Sequence, residues 1–464
     1  MIRKIFNFLP GKKKAEKTRK LTVIPRSDHK VSRNDISDHA LKVLYRLNKS
    51  GFEAFLVGGG VRDLLLGIHP KDFDIATSAH PEEVNRLFRN SRLIGRRFKL
   101  VHVLFGREII EVATFRGQHT DDKKSEDRRQ GNQQDRHRKS SEHGMILRDN
   151  VYGTMEEDAI RRDFTVNALY YCVKDFSIYD YAGGLKDLEA RKLQLIGDPE
   201  SRYREDPVRM LRAVRFATKL DFAIAKETHA PIEKLAHLLA HIPAARLFDE
   251  ILKLFLSGHA LDNFRLLRKY GLFAHLFPAT EKALESNGEL ALTFIENALR
   301  NTDKRILANK PVTPAFLFAA LLWSPLQTER NRLKAEGNSE FPALHLASQH
   351  IINQQSGVTS IPKRFGIPMK EIWEMQLRLP KRAGKRAEQI ASHPRFRAAY
   401  DFVLLREESG ENLNGLGQWW TAYQESDPHG RRKLLRSLDG PAKGGRKRKR
   451  KPRPGRPSSA VKTD

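Results

Sequence analysis

The stretch Leu56-Val57-Gly58-Gly59-Gly60-Val61-Arg62-Asp63, followed by Pro70-Lys71-Asp72-Phe73-Asp74-Ile75-Ala76-Thr77, constrains this chain more than any other. Its first half reads as an apolar strand, a glycine turn and a helix start. Glycines let backbone N–H groups approach a phosphate closely, and a helix N-terminus adds partial positive charge. The second half reads as another strand, with Phe73, Ile75 and Ala76 apolar. Residues i and i+2 of a strand share a face, so Asp72 and Asp74 project together while Phe73 and Ile75 face a core. Neighbouring carboxylates repel, and hard oxygen donors suit Mg²⁺. A glycine pair alone is usually a turn, and an Asp-x-Asp pair alone is usually a solvated loop. Their spacing and order together predict a phosphate cradle beside a divalent-metal site.

The chain has 464 residues, enough for two or three domains with sizeable cores. Its formal net charge of +28 points to a polyanionic partner, most naturally a nucleic acid. The single cysteine, Cys172, lies in an apolar run and reads as a small packed hydrophobe. One cysteine supports neither a disulfide framework nor a zinc site, which fits a cytoplasmic setting. Ile2 to Leu9 is too short and too charged for a secretory signal, and it runs into Lys12-Lys13-Lys14. The longest apolar run, Ala315 to Trp323, is too short to span a bilayer, so no membrane insertion is expected.

A basic leader occupies residues 1–34. A helix capped by Asp35 follows, with Ala40, Leu41, Leu44 and Leu47 as its apolar stripe and Gly51 as its stop. Past the organising stretch, Pro81 starts a short helix through Phe88. Leu100 to Phe105 and Glu108 to Phe115 read as strands. Glu111, between Ile110 and Val112, is either a surface glutamate on an edge strand or a third carboxylate near Asp72 and Asp74. Residues 117–145 are polar and read as a flexible insertion. Glu156-Glu157-Asp158 opens a helix leading to Arg161-Arg162-Asp163. Arginine forks suit a triphosphate, and an aspartate suits sugar hydroxyls. Asp163 is the rival to Glu111 as third carboxylate.

Ile178 to Tyr181 with Gly183-Gly184 reads as a hairpin or turn. In Tyr203-Arg204-Glu205-Asp206-Pro207-Val208-Arg209, Asp206 reads as an N-cap and Pro207 as the first helical residue. Arg209, Arg212 and Arg215 stay near one helix face, and Asp206 with Arg209 can form a hydrogen-bonding edge for a base. From about residue 230 the pattern is helical, as in Ala245 to Leu256, Phe264 to Phe277, Pro314 to Trp323 and Lys370 to Leu379. Cations there alternate with Trp373, Phe396, Tyr400, Trp419 and Trp420, which at helical spacing are mostly core. Residues 440–464 carry Arg446 to Lys451 as an unbroken cationic run, too polar to fold and suited to nonspecific RNA affinity.

The two halves of the organising stretch, with the Arg161-Arg162-Asp163 and Glu205-Asp206-Pro207-Val208-Arg209 runs, resemble the nucleotidyltransferase superfamily. The branch is that of bacterial poly(A) polymerases and tRNA CCA-adding enzymes. Gly95-Arg96-Arg97-Phe98-Lys99-Leu100-Val101-His102-Val103 and Phe396-Arg397-Ala398-Ala399-Tyr400-Asp401 resemble the poly(A) group. The chain shows no adjacent His-Asp pair of the kind a fused phosphohydrolase would need.

The resemblance implies an α+β fold, a small mixed β-sheet nucleotidyltransferase head followed by an all-α neck, body and tail. The corresponding spans are a head at 35–190, a nucleotide-selecting and RNA-binding neck at 191–275, an RNA-binding body and tail at 276–435, and a disordered basic tail at 436–464. It further implies adenylation of RNA 3′ ends from ATP without a template, with two Mg²⁺ ions on Asp72 and Asp74. Gly58, Gly59, Arg62 and Asp63 would cradle the triphosphate. Arg161, Arg162 and Asp163 would bind triphosphate and ribose, and Asp206 and Arg209 would read the base. Implied partners are RNA 3′ ends of mRNA, small regulatory RNA and tRNA with its decay intermediates. The rival within the branch is CCA addition to tRNA. A rival of another class is an RNA-binding protein without catalysis.

Overall fold

A computed structural model describes residues 21–95, 99–117, 138–140, 146–149 and 151–438. Most of the leader, Arg96 to Phe98, most of the polar insertion and the 440–464 tail lie outside the described residues. The chain divides into two compact units. The first holds residues up to Ser286, with Leu299–Pro314 and Ile351–Pro362. The second holds Asn287–Ala298, Ala315–His350 and the chain from Lys363 onward.

The first unit is built on a mixed eight-stranded sheet in the order β1-β10-β9-β2-β3-β6-β5-β4. Its strands are β1 (Thr22–Ile24), β2 (Ala54–Val57), β3 (Asp74–Thr77), β4 (Ser91–Ile94), β5 (Leu100–Phe105) and β6 (Glu108–Thr114). A separate hairpin, β7 (Arg138–Ser140) and β8 (Ile146–Asp149), comes next, and β9 (Leu169–Cys172) and β10 (Ile178–Asp180) complete the main sheet. β3 and β6 run parallel, and every other neighbouring pair in the main sheet is antiparallel.

The register places Asp74 opposite Glu111, then Ile75 opposite Val112. Ile75, Val101, Val103, Ile110 and Val112 face one large core, packed with Val43, Leu44 and Leu47 of α1 (Asp38–Lys49). The other face of β2, β3 and β9 packs Phe55, Val57, Ala76 and Tyr170 against Ala159 of α4 (Met155–Arg161). Between α1 and α4 come α2 (Gly59–Leu65) and α3 (Pro81–Leu87). They are followed by α5 (Gly184–Glu189), α6 (Pro199–Glu205) and α7 (Val208–Leu220). After the short parallel pair β11 (Lys192–Leu193) and β12 (Ala223–Ile224), every described element is helical.

Several boundaries differ from the sequence reading. α1 begins at Asp38, because the Ser37 hydroxyl accepts from the His39 and Ala40 N–H groups, whereas Asp35 ends a separate 3-10 turn. Asp72 precedes β3 instead of lying in it, yet the alternation survives, with exposed Asp72 and Asp74 alternating with buried Phe73 and Ile75. Asp206 closes α6, and α7 starts at Val208. Its carboxylate still accepts from the Val208 N–H at 3.3 Å, so the capping chemistry operates one residue early. Phe264 to Phe277 is split at Gly271, whose φ of 68° only glycine adopts easily, into Ala260–Lys269 and Leu272–Leu276. Pro314 to Trp323 likewise separates into Pro314–Leu321 and Trp323–Ala335.

The second unit is helical in all its described elements. Trp373, Phe396, Tyr400 and Trp420 are buried in it. The Trp373 and Trp420 indoles donate to the carbonyls of Ala319 and Leu379, at 3.1 and 3.2 Å. These aromatics are core, in keeping with their helical spacing. Half-buried Trp419 has the Arg382 guanidinium 5.0 Å from its ring centre. The chain's four tryptophans, Trp323, Trp373, Trp419 and Trp420, all belong to this unit.

Gly184 meets the turn Thr165–Asn167 so closely that a Cβ there would lie 2.1 Å from the Thr165 carbonyl oxygen. Backbone cannot yield as a flexible side-chain end can. Gly184→Ala is expected to cost roughly 3 kcal/mol or more, seen as a lowered unfolding midpoint in a thermal melt.

Candidate active site

Between β2 and α2 the backbone turns at Gly58, with φ 70° and ψ −133°. Any side chain is strained there, and a Cβ would sit 3.3 Å from Arg162 Nη1. The turn borders a cavity of about 580 Å³. Gly58, Gly59, Arg62, Asp72 and Asp74 approach from the strand–turn–helix side. Arg162, Asp163 and Asn167 come from the segment after α4. Asp206 precedes α7, and Arg209, Arg212, Arg215 and Phe216 lie on it. α2 is seven residues long, so its dipole is minor beside the five arginines that line the cavity.

The predicted residues are therefore brought together with three exceptions. Arg161 and Glu111 line a neighbouring smaller cavity, and Asp63 lines neither. Asp63 instead fixes its neighbour. Arg62 Nε and Nη2 donate to Asp63 Oδ1 at 2.8 and 2.6 Å, while Nη1 donates to Asn167 Oδ1 at 2.6 Å. Arg62 is only 2% exposed, so such pairing is what makes its burial tolerable.

Arg162 is held as firmly. Its Nε donates to the Tyr170 hydroxyl at 2.9 Å and its Nη2 to Asp158 Oδ2 at 3.0 Å, and Tyr170 donates to the same Asp158 oxygen at 2.6 Å. Burial works against the Arg162 charge, but Tyr170 and Asp158 keep its pKa above the ordinary guanidinium value. Burial likewise drives the Tyr170 phenol up, so it stays protonated and donating.

The two candidate third carboxylates have different surroundings. Asp163 accepts from Arg212 Nε at 2.6 Å, from its neighbour's Phe164 N–H at 2.8 Å and from Asn167 at 3.3 Å. Burial alone would raise its pKa, but the Arg212 charge and these donors bring it down to about 2. Glu111 stands in register with Asp74 and is half-buried, with His102 Nε2 3.5 Å from its Oε2. Water reaches Asp74, yet the surrounding walls crowd its carboxyl. That crowding first, then the Glu111 charge, push its pKa up to about 6 despite opposing Arg162. Hard oxygen donors whose charges repel are what a divalent cation relieves. Among the described residues no group of three or more His, Cys, Asp or Glu forms a ready metal cage. Mg²⁺ characteristically binds through one or two carboxylates plus water and substrate phosphates, so the Asp72 and Asp74 set fits it.

Asp206 and Arg209 both face the cavity but are held by different partners. Arg246 Nη2 donates to Asp206 Oδ2 at 2.7 Å. Arg209 Nη1 donates to Glu205 Oε2 at 3.0 Å and to the Arg202 carbonyl at 2.7 Å. Sequence reasoning assigned no role to Arg246, Asn167, Tyr170 or Phe216. The guanidiniums of Arg62, Arg212 and Arg215 lie 5.4, 5.2 and 5.0 Å from the Phe216 ring centre. The three-residue arginine repeat next to an aromatic was the available signal. Arg215 Nε is buried with no hydrogen-bond partner, as expected of a group that awaits an anion.

Three family profiles match the sequence. They are the poly A polymerase head domain at residues 54–194, the probable RNA- and SrmB-binding site of polymerase A at 221–284, and the polymerase A arginine-rich C-terminus at 336–455. Poly(A) polymerase I of Salmonella typhimurium strain LT2 is 50% identical over 442 residues, 93% of each chain. The chain belongs to the poly(A) polymerase I family. That family consists of polynucleotide adenylyltransferases. The CCA-adding enzyme of Lactobacillus helveticus is 38% identical over 232 residues, 50% of this chain and 53% of that one. Among solved structures, the Bacillus stearothermophilus CCA-adding enzyme in complex with CTP matches with a TM-score of 0.53 and 27% identity. It covers 86% of this chain and 81% of that chain. The sheet-then-helices order of this poly(A) polymerase relative is thus a fold shared across the branch.

The Asp163–Arg212 pair predicts a pH dependence. A carboxylate with a folded pKa of about 2 stabilises the fold above its unfolded value of about 3.9, and that contribution disappears as pH falls through the folded value. Asp163→Asn is therefore expected to lower the unfolding midpoint most at pH 6. The gap from the parent chain should narrow between pH 4 and 2, in melts at a series of pH values.

Proposed function

We propose that this chain adds adenylate from ATP to RNA 3′ ends without a template, releasing pyrophosphate. The carrying observation is the gathering of a glycine turn, two carboxylates and five arginines around one cavity. It occurs in a chain half-identical to a poly(A) polymerase I across 93% of its length. Likeness to the L. helveticus CCA-adding enzyme covers only half the chain, which favours poly(A) synthesis over tRNA end repair.

Asp72 and Asp74 would hold the magnesium ions. When bound, magnesium lowers the pKa of the RNA 3′-hydroxyl and neutralises charge on the triphosphate and departing pyrophosphate. The 3′-oxygen attacks the α-phosphorus, the bond to the β-phosphate breaks, and the hydroxyl proton leaves to water. Arg62 and Arg162, immobilised by their partners, offer fixed charge to the phosphates and need no reorganisation during the reaction. The Gly58 turn lets backbone approach the triphosphate. Asp163, neutralised by Arg212, orients the ribose side of the cavity.

Asp206 can accept from the adenine amino group while Arg209 donates to the ring nitrogen beside it. Guanine and uracil present the reverse order and would leave both groups unpaired, a strong basis for rejection. Cytosine presents the same order as adenine. The longer reach of a purine from the ribose to this edge, whose position Glu205 and Arg246 hold, must therefore separate ATP from CTP. On this reading the 35–190 region carries the chemistry and 191–275 selects the base, while the basic helical remainder and tail hold RNA. The setting proposed is cytoplasmic RNA processing and turnover. No helix among the described residues is long and apolar enough to cross a membrane.

The deciding experiment offers the purified chain each nucleotide separately, with an unstructured RNA or a tRNA lacking its end. Long A-only tails on either RNA are expected, and use of CTP before ATP would instead establish CCA addition. Asp72→Ala and Asp74→Ala should each cut ATP incorporation by about a thousandfold or more while RNA binding persists. Full incorporation by both would refute the metal assignment.

A further inference from the structure

Two cavities in the first unit share a wall. Asp74 and Arg162 line both the cavity of about 580 Å³ and its neighbour of about 260 Å³. The smaller one is otherwise bounded by Glu111, Ala113, Arg116 and Arg161, with Asp158 and the β2–β3 backbone region. A transfer between two substrates needs each of them to reach one centre from its own side. The larger cavity holds the glycine turn and the α7 arginines, which suit a triphosphate. The smaller one borders the same Asp74 beside Glu111, Ala113 and Arg116.

Strand register shows where a bound chain would leave it. Asp74 pairs with Glu111, Glu111 with His102, and His102 with Arg92, across β3, β6, β5 and β4. Paired residues share a sheet face, so these four form one row of about 14 Å. The opposite face carries Ile75, Val112 and Val101, all in the large core. α4 covers the row's face over β2, β3 and β9. On β6 itself Ile109, two residues from Glu111 and on the same face, is 47% exposed, and on the edge strand β4 Arg92 is open to solvent. Among the described residues the row thus leads from the smaller cavity to an exposed sheet edge.

We propose that the smaller cavity seats the 3′-terminal nucleotide of the acceptor RNA, and that the Glu111–His102–Arg92 row guides the preceding residues away. Arg116 and Arg161 supply charge for its phosphate, and the small side chain of Ala113 leaves space for its sugar. Arg161 then serves the acceptor, not the triphosphate. Three arginines, Arg116, Arg161 and Arg162, and three carboxylates, Asp74, Glu111 and Asp158, line so small a space, so the occupant must be compact and must offer both a phosphate and hydroxyl groups, as a nucleotide does. This inference rests on the reading of RNA as acceptor.

The test compares Ala113→Met, which fills the cavity without altering charge, with Arg116→Gln, which removes charge without filling it. Each should raise the KM for a short oligoadenylate by roughly tenfold and leave the KM for ATP within about twofold. Arg116→Gln should also flatten the salt dependence of the RNA KM. In parallel, an RNA ending in 4-thiouridine is photo-crosslinked to the full chain, which needs no turnover. Crosslinks within residues 99–117, lost in Ala113→Met, are expected. Unchanged RNA KM in folded variants, an equal rise in both KM values, or crosslinks confined elsewhere would overturn the proposal. A wild-type chain that prefers CTP would overturn the poly(A) reading instead, and the same crosslink would still report on the cavity.

Discussion

The ion pair between Asp163 and Arg212 joins the two sides of the cavity. Asp72, Asp74, Arg62 and Arg162 line the cavity from the sheet side, whereas Arg209, Arg212 and Arg215 come from α7 and Asp206 from just before it. Neither side makes a site alone. At 2.5–2.6 Å, in a setting where Asp163 is almost wholly shielded, the pair fixes α7 against the turn that follows α4. Arg202 reinforces it by donating to the Arg161 and Arg162 carbonyls at 2.6 and 2.8 Å. Lys219 adds a looser contact, 3.6 Å from Asp63. A charge that is buried and paired costs little while the pair is intact and a great deal once it is broken. The geometry of the cavity is thus held by these ion pairs together with the buried apolar face of α7.

Much of this is legible in the amino-acid sequence alone. Alternation in Leu100 to Phe105 sets the observed limits of that strand, because one face is buried and the other is not. The Gly58 turn and the Asp72/Asp74 pair are legible because few residue types satisfy a positive φ or concentrate like charge. Other features are hidden for definite reasons. Asp63 looks like part of a phosphate cradle, but the local sequence cannot show that Arg62 consumes its carboxylate. Arg246 is distant in sequence from Asp206 and becomes its partner only through helix packing. The break at Gly271 is masked by apolar residues on both sides that continue the helical rhythm. Short-range signals fix local conformation, while long-range partners depend on which surfaces meet.

The cavity is electrostatically unfinished. Asp74 is pushed toward its neutral form by crowding and by Glu111, whereas across the space Arg212 and Arg215 crowd one aromatic ring with Arg62. Burial, then the nearby Arg212 and Arg62 charges, weaken the hold of Arg215 on its proton even with Glu250 opposing. An anion against the arginines and a cation against the carboxylates would relieve both strains together. A metal–triphosphate complex brings both signs in one molecule, so on the proposed function its binding would gain from each end of the cavity.

The placement of the indoles has a spectroscopic consequence. Because all four tryptophans lie in the second unit, their emission follows the unfolding of that unit and is silent about the sheet. The first unit carries tyrosines instead, Tyr170 and Tyr203 among them, both buried. Excitation confined to indole would therefore trace one half of the molecule, and excitation that also reaches phenol would trace both. Any mismatch between the two traces would measure how far the first unit melts on its own.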